Sequence, residues 1–269
     1  VLYHTTDMAT LVDRKETNKP DRIIYVVDQR QALHFEQVFR AASKAGWFHP
    51  DQLYHVGFGT MNGKDGKPFK TREGGVLRLE DLLDIMNASA KNRLEESGIG
   101  ISFDSKERSE IARKVGLAAL KFADLQNQRL TNYTFDPVRF TSFEGKTGPY
   151  LLYAVVRIKS ILRKAASASI DFDDKNIELS HSSEKELLIA LDAFGRSTSN
   201  AASKYLPHIL CDHVYRVAQA FSRFYADCPI LSEDTPRHLQ SSRLSLAKLT
   251  LLQLEMGLYM LGIEAPERM

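Results

Sequence analysis

Near Glu80 the apolar residues of this chain change their spacing, and that change bounds the fold more tightly than any other feature of the sequence. Before it, apolar residues come in short β-branched and aromatic runs. Arg22–Val27 (RIIYVV) has the length and composition of a buried strand, and Val56–Met61 is a second candidate. Between them Phe35, Val38, Phe39 and Ala42 share one helical stripe, with Gly46 placed to stop the helix. A strand, a helix and a returning strand fit a parallel sheet, so the first third reads as α/β.

After Glu80 the period is helical. Leu82, Leu83, Met86, Ala90 and Leu94 form one stripe; Ile111, Val115, Ala118, Phe122 and Leu125 form the next. Asn132–Phe140 is a polar and aromatic connection. Leu151, Val155, Ile158 and Leu162 then give a third stripe, and Leu210, Val214, Val217, Phe221 and Phe224 a fourth. Residues 165–183 carry no period and read as a loop. The last helix, from about Ser242, is apolar on most sides, which predicts a central place in a helix bundle.

The 269 residues suffice for two domains. A net charge of +2 confines any nucleic-acid footprint to a local patch. Cys211 and Cys228 lack zinc-type neighbours and read as free thiols in a reducing compartment. No apolar run reaches the roughly 18 residues a membrane span needs. Val1 opens abruptly on Leu2-Tyr3-His4, and the expectation is that a large N-terminal portion precedes it.

Several constellations carry chemistry. The stretch Gly63–Gly75 interleaves glycines with Lys64, Lys67, Lys70 and Arg72. It is either a solvated basic loop or a cradle for phosphates. Tyr3 and Asp7 are four residues apart and share a face of any helical turn; they suit either guanidinium recognition or a cap beside a core tyrosine. Gln31 follows a strand end, a favoured ligand position in open α/β sheets and also an ordinary place for a surface glutamine. Beyond Pro149, Tyr150, Tyr153 and Arg157 fall on one face, off the aliphatic stripe. Such a face either stacks unpaired bases or closes the edge of the bundle. Tyr225 is open between core and surface in the same way. His55-Val56-Gly57-Phe58 begins like a nucleotide-binding His-x-Gly-His signature but ends in phenylalanine and is set aside. No metal-ligand cluster is expected.

Read in order, these pieces resemble arginyl-tRNA synthetase, a class I family. The resemblance runs through Leu2–Asp7, Tyr25–Gln31, Gly57–Met61, the loop Gly63–Gly75, Tyr133–Asp136, Phe143–Ala154 and the closing Pro266-Glu267-Arg268-Met269. It implies an α/β fold, the second part of a Rossmann-like class I nucleotide-binding domain, followed by an all-α helix-bundle anticodon-binding domain. Residues 1–79 would be the C-terminal part of the catalytic domain with its KMSKS-like loop. Residues 80–140 would be a helical connecting region, and 141–269 the anticodon-binding domain of DALR type.

The resemblance also implies roles. Tyr3 and Asp7 would read the substrate guanidinium, and Gln31 would orient the amino acid. Gly59, Thr60 and Met61 would lie beside adenine. Phe69, Lys70, Thr71 and Arg72 would hold the ATP phosphates, although threonine stands where the second lysine of KMSKS would be. Tyr150, Tyr153, Arg157, Tyr225 and Met269 would meet the tRNA. ATP with Mg2+ would be the co-substrate, with no prosthetic group and no bound metal. The partners would be tRNA(Arg), arginine and ATP, not a membrane, and the protein a cytoplasmic monomer. The family's HIGH signature does not occur in these residues, so the chain alone is expected to show no arginine-dependent ATP–pyrophosphate exchange. The rival reading is a stand-alone tRNA-binding module derived from a synthetase; a helical protein-interaction domain is the third.

Overall fold

The computed structural model describes residues 3–67, 78–170, 172 and 177–269. It divides into two compact units, Val1–Phe69 with Gln128–Phe135, and Lys70–Asn127 with Asp136–Met269. Phe69, Lys70, Thr71 and Arg72 of the KMSKS-like loop lie outside the described residues.

The first unit opens with helix α1 (Tyr3–Asn18), where the sequence suggested no more than a helix-like turn. Leu11 is its one buried residue, so no apolar stripe advertises the helix. Strand β1 (Ile23–Asp28) follows, then helix α2 (Ala32–Lys44) and strand β2 (Leu53–Phe58). β1 and β2 pair in parallel from Ile23↔Leu53 to Asp28↔Phe58. The two strands thus carry the crossover connection that parallel pairing requires. Gly46, at φ +71°, ends α2 in the left-handed conformation that glycine adopts without strain.

Alternation along β1 sorts its side chains. Ile23 joins a core with Leu11, Val38, Ala42, Phe48 and Leu53, and Tyr25 packs on Phe35 at 4.7 Å between ring centroids. Ile24 and Val26 turn to the opposite face and stay exposed. A short parallel pair, β3 (Met61–Asn62) with β4 (Tyr133–Thr134), brings the later segment back into this unit.

The second unit is helical: α3 (Leu79–Glu96), α4 (Ser105–Leu125), α5 (Pro137–Phe140), α6 (Gly148–Ser167), α7 (Ser182–Asp192), α8 (Phe194–Lys204), α9 (Pro207–Asp227) and α10 (Arg237–Met260). The predicted stripes converge in one core that includes Val115, Phe122, Leu151, Val155, Ile158, Leu210, Val214, Phe221 and Leu244. At roughly 1.5–3 kcal/mol for each large apolar side chain fully buried, this core dominates the unit's stability. α3 and α4, within the stretch 80–140 that the resemblance implies is a connecting region, pack on each other and fall in this unit.

α10 departs from the expected central place. Leu244, Leu246, Leu254 and Leu258 are buried, but Leu252, Met256, Tyr259 and Met260 are exposed. A helix apolar all round still leaves a stripe uncovered when neighbours pack on part of its circumference. Both cysteines are free and buried. Among the described residues no helix is long and apolar enough to cross a membrane.

Candidate functional site

The five residues marked for RNA contact lie in the helical unit. The Thr147 hydroxyl caps α6, accepting from the Tyr150 amide at 3.2 Å and donating to the Ser142 carbonyl at 2.6 Å. Pro149 fits the first turn, where a missing amide costs nothing. From this start Tyr150, Tyr153 and Arg157 run along one side of α6, but packing sorts them by depth. Tyr150 lies against the core, its ring centroid 5.5 Å from that of Tyr215 and its hydroxyl 3.2 Å from Ser222 Oγ. Tyr153 remains 38% exposed.

Arg157 is half-buried between two rings. Its guanidinium carbon is 4.5 Å from the Tyr153 centroid and 5.4 Å from that of Tyr225. Tyr225 comes from α9, is 41% exposed, and stacks on Phe221 at 6.1 Å. A cation held between tyrosines is attracted by both ring faces and pre-ordered. Two partly exposed rings with a guanidinium between them form a platform on which flat, anionic ligands can stack.

Met269 is half-buried against the same core, and the tail leading to it is tied down by charge. Lys159 Nζ stands 2.6 Å from a Glu267 carboxylate oxygen and 2.9 Å from one of Glu255. Arg163 donates to the Glu267 carbonyl at 3.1 Å, and Arg268 makes a two-bond fork with Glu107 at 2.7 and 2.9 Å. The structure brings Tyr153, Arg157 and Tyr225 into one cluster, while Tyr150 packs on Tyr215 and Ser222 and Met269 on the core.

In the first unit, α1 and the start of α2 carry the residues marked for arginine, and among the described residues hydrogen bonds join α1 to α2 only through Asp7 and His4. Tyr3 is strongly exposed and Asp7 partly so, one turn apart on α1. Gln31 is exposed at the N-cap of α2, after the short turn that follows β1. One helical turn beyond Gln31, His34 reaches across to α1, its Nε2 2.6 Å from Asp7 Oδ2. His4 Nε2 similarly meets Gln37 Oε1 at 3.0 Å.

A third group lies at the end of β2. An added Cβ at Gly59 would come within 2.8 Å of Asn132 Oδ1 and 2.9 Å of the Thr131 carbonyl, so no larger residue fits without movement. The Gly59 amide donates to the Arg129 carbonyl at 2.7 Å, and the Thr60 amide to Asn132 Oδ1 at 2.8 Å. Met61 sits in the short ladder opposite Tyr133. His55 is packed, its ring stacked 5.0 Å from Phe35 and its Nε2 3.2 Å from the Val27 carbonyl.

Two of these arrangements escape the sequence reading. His34 stands three residues after Gln31 on one helix face, a spacing that was available. Asn132 is distant in sequence from Thr60, and nothing local marks it.

A parallel strand–helix–strand unit followed in the chain by an all-helical unit fits a class I tRNA synthetase. Residues 1–137 match the family model for the catalytic domain of class I (R) tRNA synthetases. Residues 151–269 match the DALR anticodon binding domain. The chain belongs to the arginyl-tRNA synthetase family. It is 54% identical over 269 residues to arginine–tRNA ligase of Maricaulis maris, covering 100% of this chain and 45% of that protein. It is equally 54% identical to the ligase of Hyphomonas neptunium, over 99% of this chain and 45% of the relative. The chain therefore spans less than half the length of these relatives. Among solved structures, arginyl-tRNA synthetase of Plasmodium falciparum superposes with a TM-score of 0.82 at 25% identity, over 99% of this chain and 44% of that one. The Thermus thermophilus enzyme gives 0.81 at 28% identity, over 93% and 42%.

Proposed function

We propose that this chain is part of an arginine–tRNA ligase. Arginine and ATP combine to arginyl-adenylate and pyrophosphate, and the arginyl group then passes to the terminal ribose of tRNA(Arg). The observation that carries the reading is the Tyr153–Arg157–Tyr225 platform, in the region that matches an anticodon-binding family. In this reading an unstacked anticodon-loop base lies on the exposed Tyr153 ring, beside the exposed rim of Tyr225, while Arg157 adds a cation beside the ribose–phosphate chain. Tyr150 and Met269 are the further tRNA contacts that this reading assigns to the helical unit.

The first unit contributes to adenylate formation. Asp7 takes the substrate guanidinium, which a carboxylate binds through two parallel N–H···O bonds. Tyr3 packs beside it and Gln31 orients the amino acid. Gly59, Thr60 and Met61 border the adenine. The amides of Gly59 and Thr60 are already committed to residues 129–132 and the Thr60 carbonyl accepts from the Tyr133 amide at 3.1 Å, so base contact there falls to the Gly59 carbonyl or to Met61. Phe69, Lys70, Thr71 and Arg72 hold the phosphates of ATP, which arrives with Mg2+ as co-substrate, and no prosthetic group takes part. The protein works in the cytoplasm as a monomer. Its contribution is positioning and charge stabilisation.

The test is tRNA(Arg) binding to the chain, followed by fluorescence anisotropy at low salt. Tyr153→Ala and Arg157→Ala should each weaken binding about tenfold, since a stacked base contributes roughly 1–3 kcal/mol. Binding should also weaken steeply as salt rises. Unchanged affinity in both variants would count against the RNA platform and favour a protein-interaction bundle.

A further inference from the structure

Of the clusters that the RNA platform leaves aside, the Asp7–His34 pair says most about chemistry. Asp7 comes from α1 and His34 from α2, and His34 Nε2 lies 2.6 Å from Asp7 Oδ2. An ionised carboxylate only accepts, so Nε2 carries the hydrogen and donates. The imidazole is itself fixed by rings on its flanks. The His4 centroid is 4.4 Å away, and Phe35 meets the His34 ring edge-on at 5.2 Å. The His34 and Asp7 side chains are 21% and 29% exposed, so the pair stands at the rim of the unit and open to a ligand.

Asp7 sits on α1, whose one fully buried side chain is Leu11, one turn away. A short aspartate on such a helix would sample several rotamers. The His34 bond selects one. It uses Oδ2 on one side, and since each carboxylate oxygen has two acceptor sites, both oxygens can still meet a guanidinium fork. We propose that His34 is a positioning residue that fixes the Asp7 carboxylate for the guanidinium of substrate arginine. This rests on the proposed role of Asp7 as guanidinium reader. His34 itself does not touch the reacting atoms. It stands one helical turn beyond Gln31, so the same face of α2 that orients the amino acid also aligns the carboxylate that selects it.

The experiment uses the synthetase containing this chain at the length its relatives have, with arginine-dependent ATP–pyrophosphate exchange as readout. His34→Leu should raise the KM for arginine about tenfold, the usual loss for a hydrogen bond to a charged group, with the KM for ATP unchanged. His34→Gln keeps an N–H donor at similar reach and should return the arginine KM to within about threefold of the parent. His34→Leu added to Asp7→Asn should cause no further loss, because the two act through one contact. Equal rises in the KM for arginine and ATP, or failure of glutamine to rescue, would make His34 a structural tie between helices and overturn the proposal. Wild-type arginine KM in His34→Leu while Asp7→Asn loses arginine would also overturn it, leaving the guanidinium reading intact. If Asp7→Asn binds arginine normally, the guanidinium reading falls, and this proposal with it.

Discussion

Glutamine in place of Glu184 is expected to lower the unfolding free energy of the helical unit by about 3 kcal/mol or more, the usual cost of breaking one half of a buried ion pair. The Glu184 side chain is 1% exposed and that of Arg243 11%. Oε1 of Glu184 accepts from Arg243 Nε at 2.8 Å, while Oε2 accepts from the amides of Ser180 at 2.6 Å and His181 at 2.8 Å. Every one of these partners is a donor. Glutamine offers one oxygen and one NH2, so whichever way it turns, a donor faces a donor. Arg243 also donates to the Pro229 carbonyl at 2.8 Å, so the pair ties the start of α7 to α10 and to the turn after α9.

The pH dependence of this effect follows from the same contacts. Burial pushes the Glu184 carboxyl up, but Arg243 and the two amides together outweigh it and hold the group below the ordinary glutamate value of 4.5. A carboxyl lowered in the folded state gives stability that is complete above its ordinary value and is lost as pH falls through the lowered one. The gap between parent and Glu184→Gln should therefore be full at neutral pH and shrink below pH 4.5. Urea unfolding at two pH values measures both. A gap under about 1 kcal/mol at pH 7 would mean that the pair is replaceable.

How much of this was legible in the sequence depended on whether a signal was periodic. The core residues of α4, α6 and α9 repeat at helical spacing, and these helices formed where the spacing placed them. α1 buries Leu11 alone, so periodicity had nothing to report. On α6, spacing put Tyr150 and Tyr153 on one face but could not rank their depth. Depth was set by Tyr215 and Ser222 of α9, which take the ring and hydroxyl of Tyr150. The roles of Tyr225 and Met269 entered through family resemblance, because residues far apart in the chain meet only after folding. The Asp7–His34 and Glu184–Arg243 pairs were illegible for the same reason: each is one side chain reaching one other across two helices.

Alanine in place of Gly148 should be the other large loss, and it should fall on stability and RNA binding together. A Cβ built at Gly148 would stand 2.3 Å from the Ala118 carbonyl oxygen and 2.5 Å from its carbon, both backbone atoms of α4. No rotamer change relieves such a contact, so α4 and α6 must move apart by on the order of 1 Å, or α6 must fray at its first turn. Overpacking of this kind costs about 1–3 kcal/mol in ordinary cores, and a backbone obstacle puts this site at the upper end. Tyr153 and Arg157 lie further along the same helix, so the displacement shifts them relative to Tyr225 on α9. Affinity for tRNA(Arg) should then fall in a variant whose altered residue is itself buried. Gly195 supplies the contrast, because a Cβ there meets nothing within 4 Å and its residue sits in α8. Gly195→Ala should leave binding unchanged and raise stability by up to about 1 kcal/mol, the gain expected from a helical alanine with room for its methyl. If Gly148→Ala unfolds and binds like Gly195→Ala, close approach of α6 to α4 does not set the position of the platform.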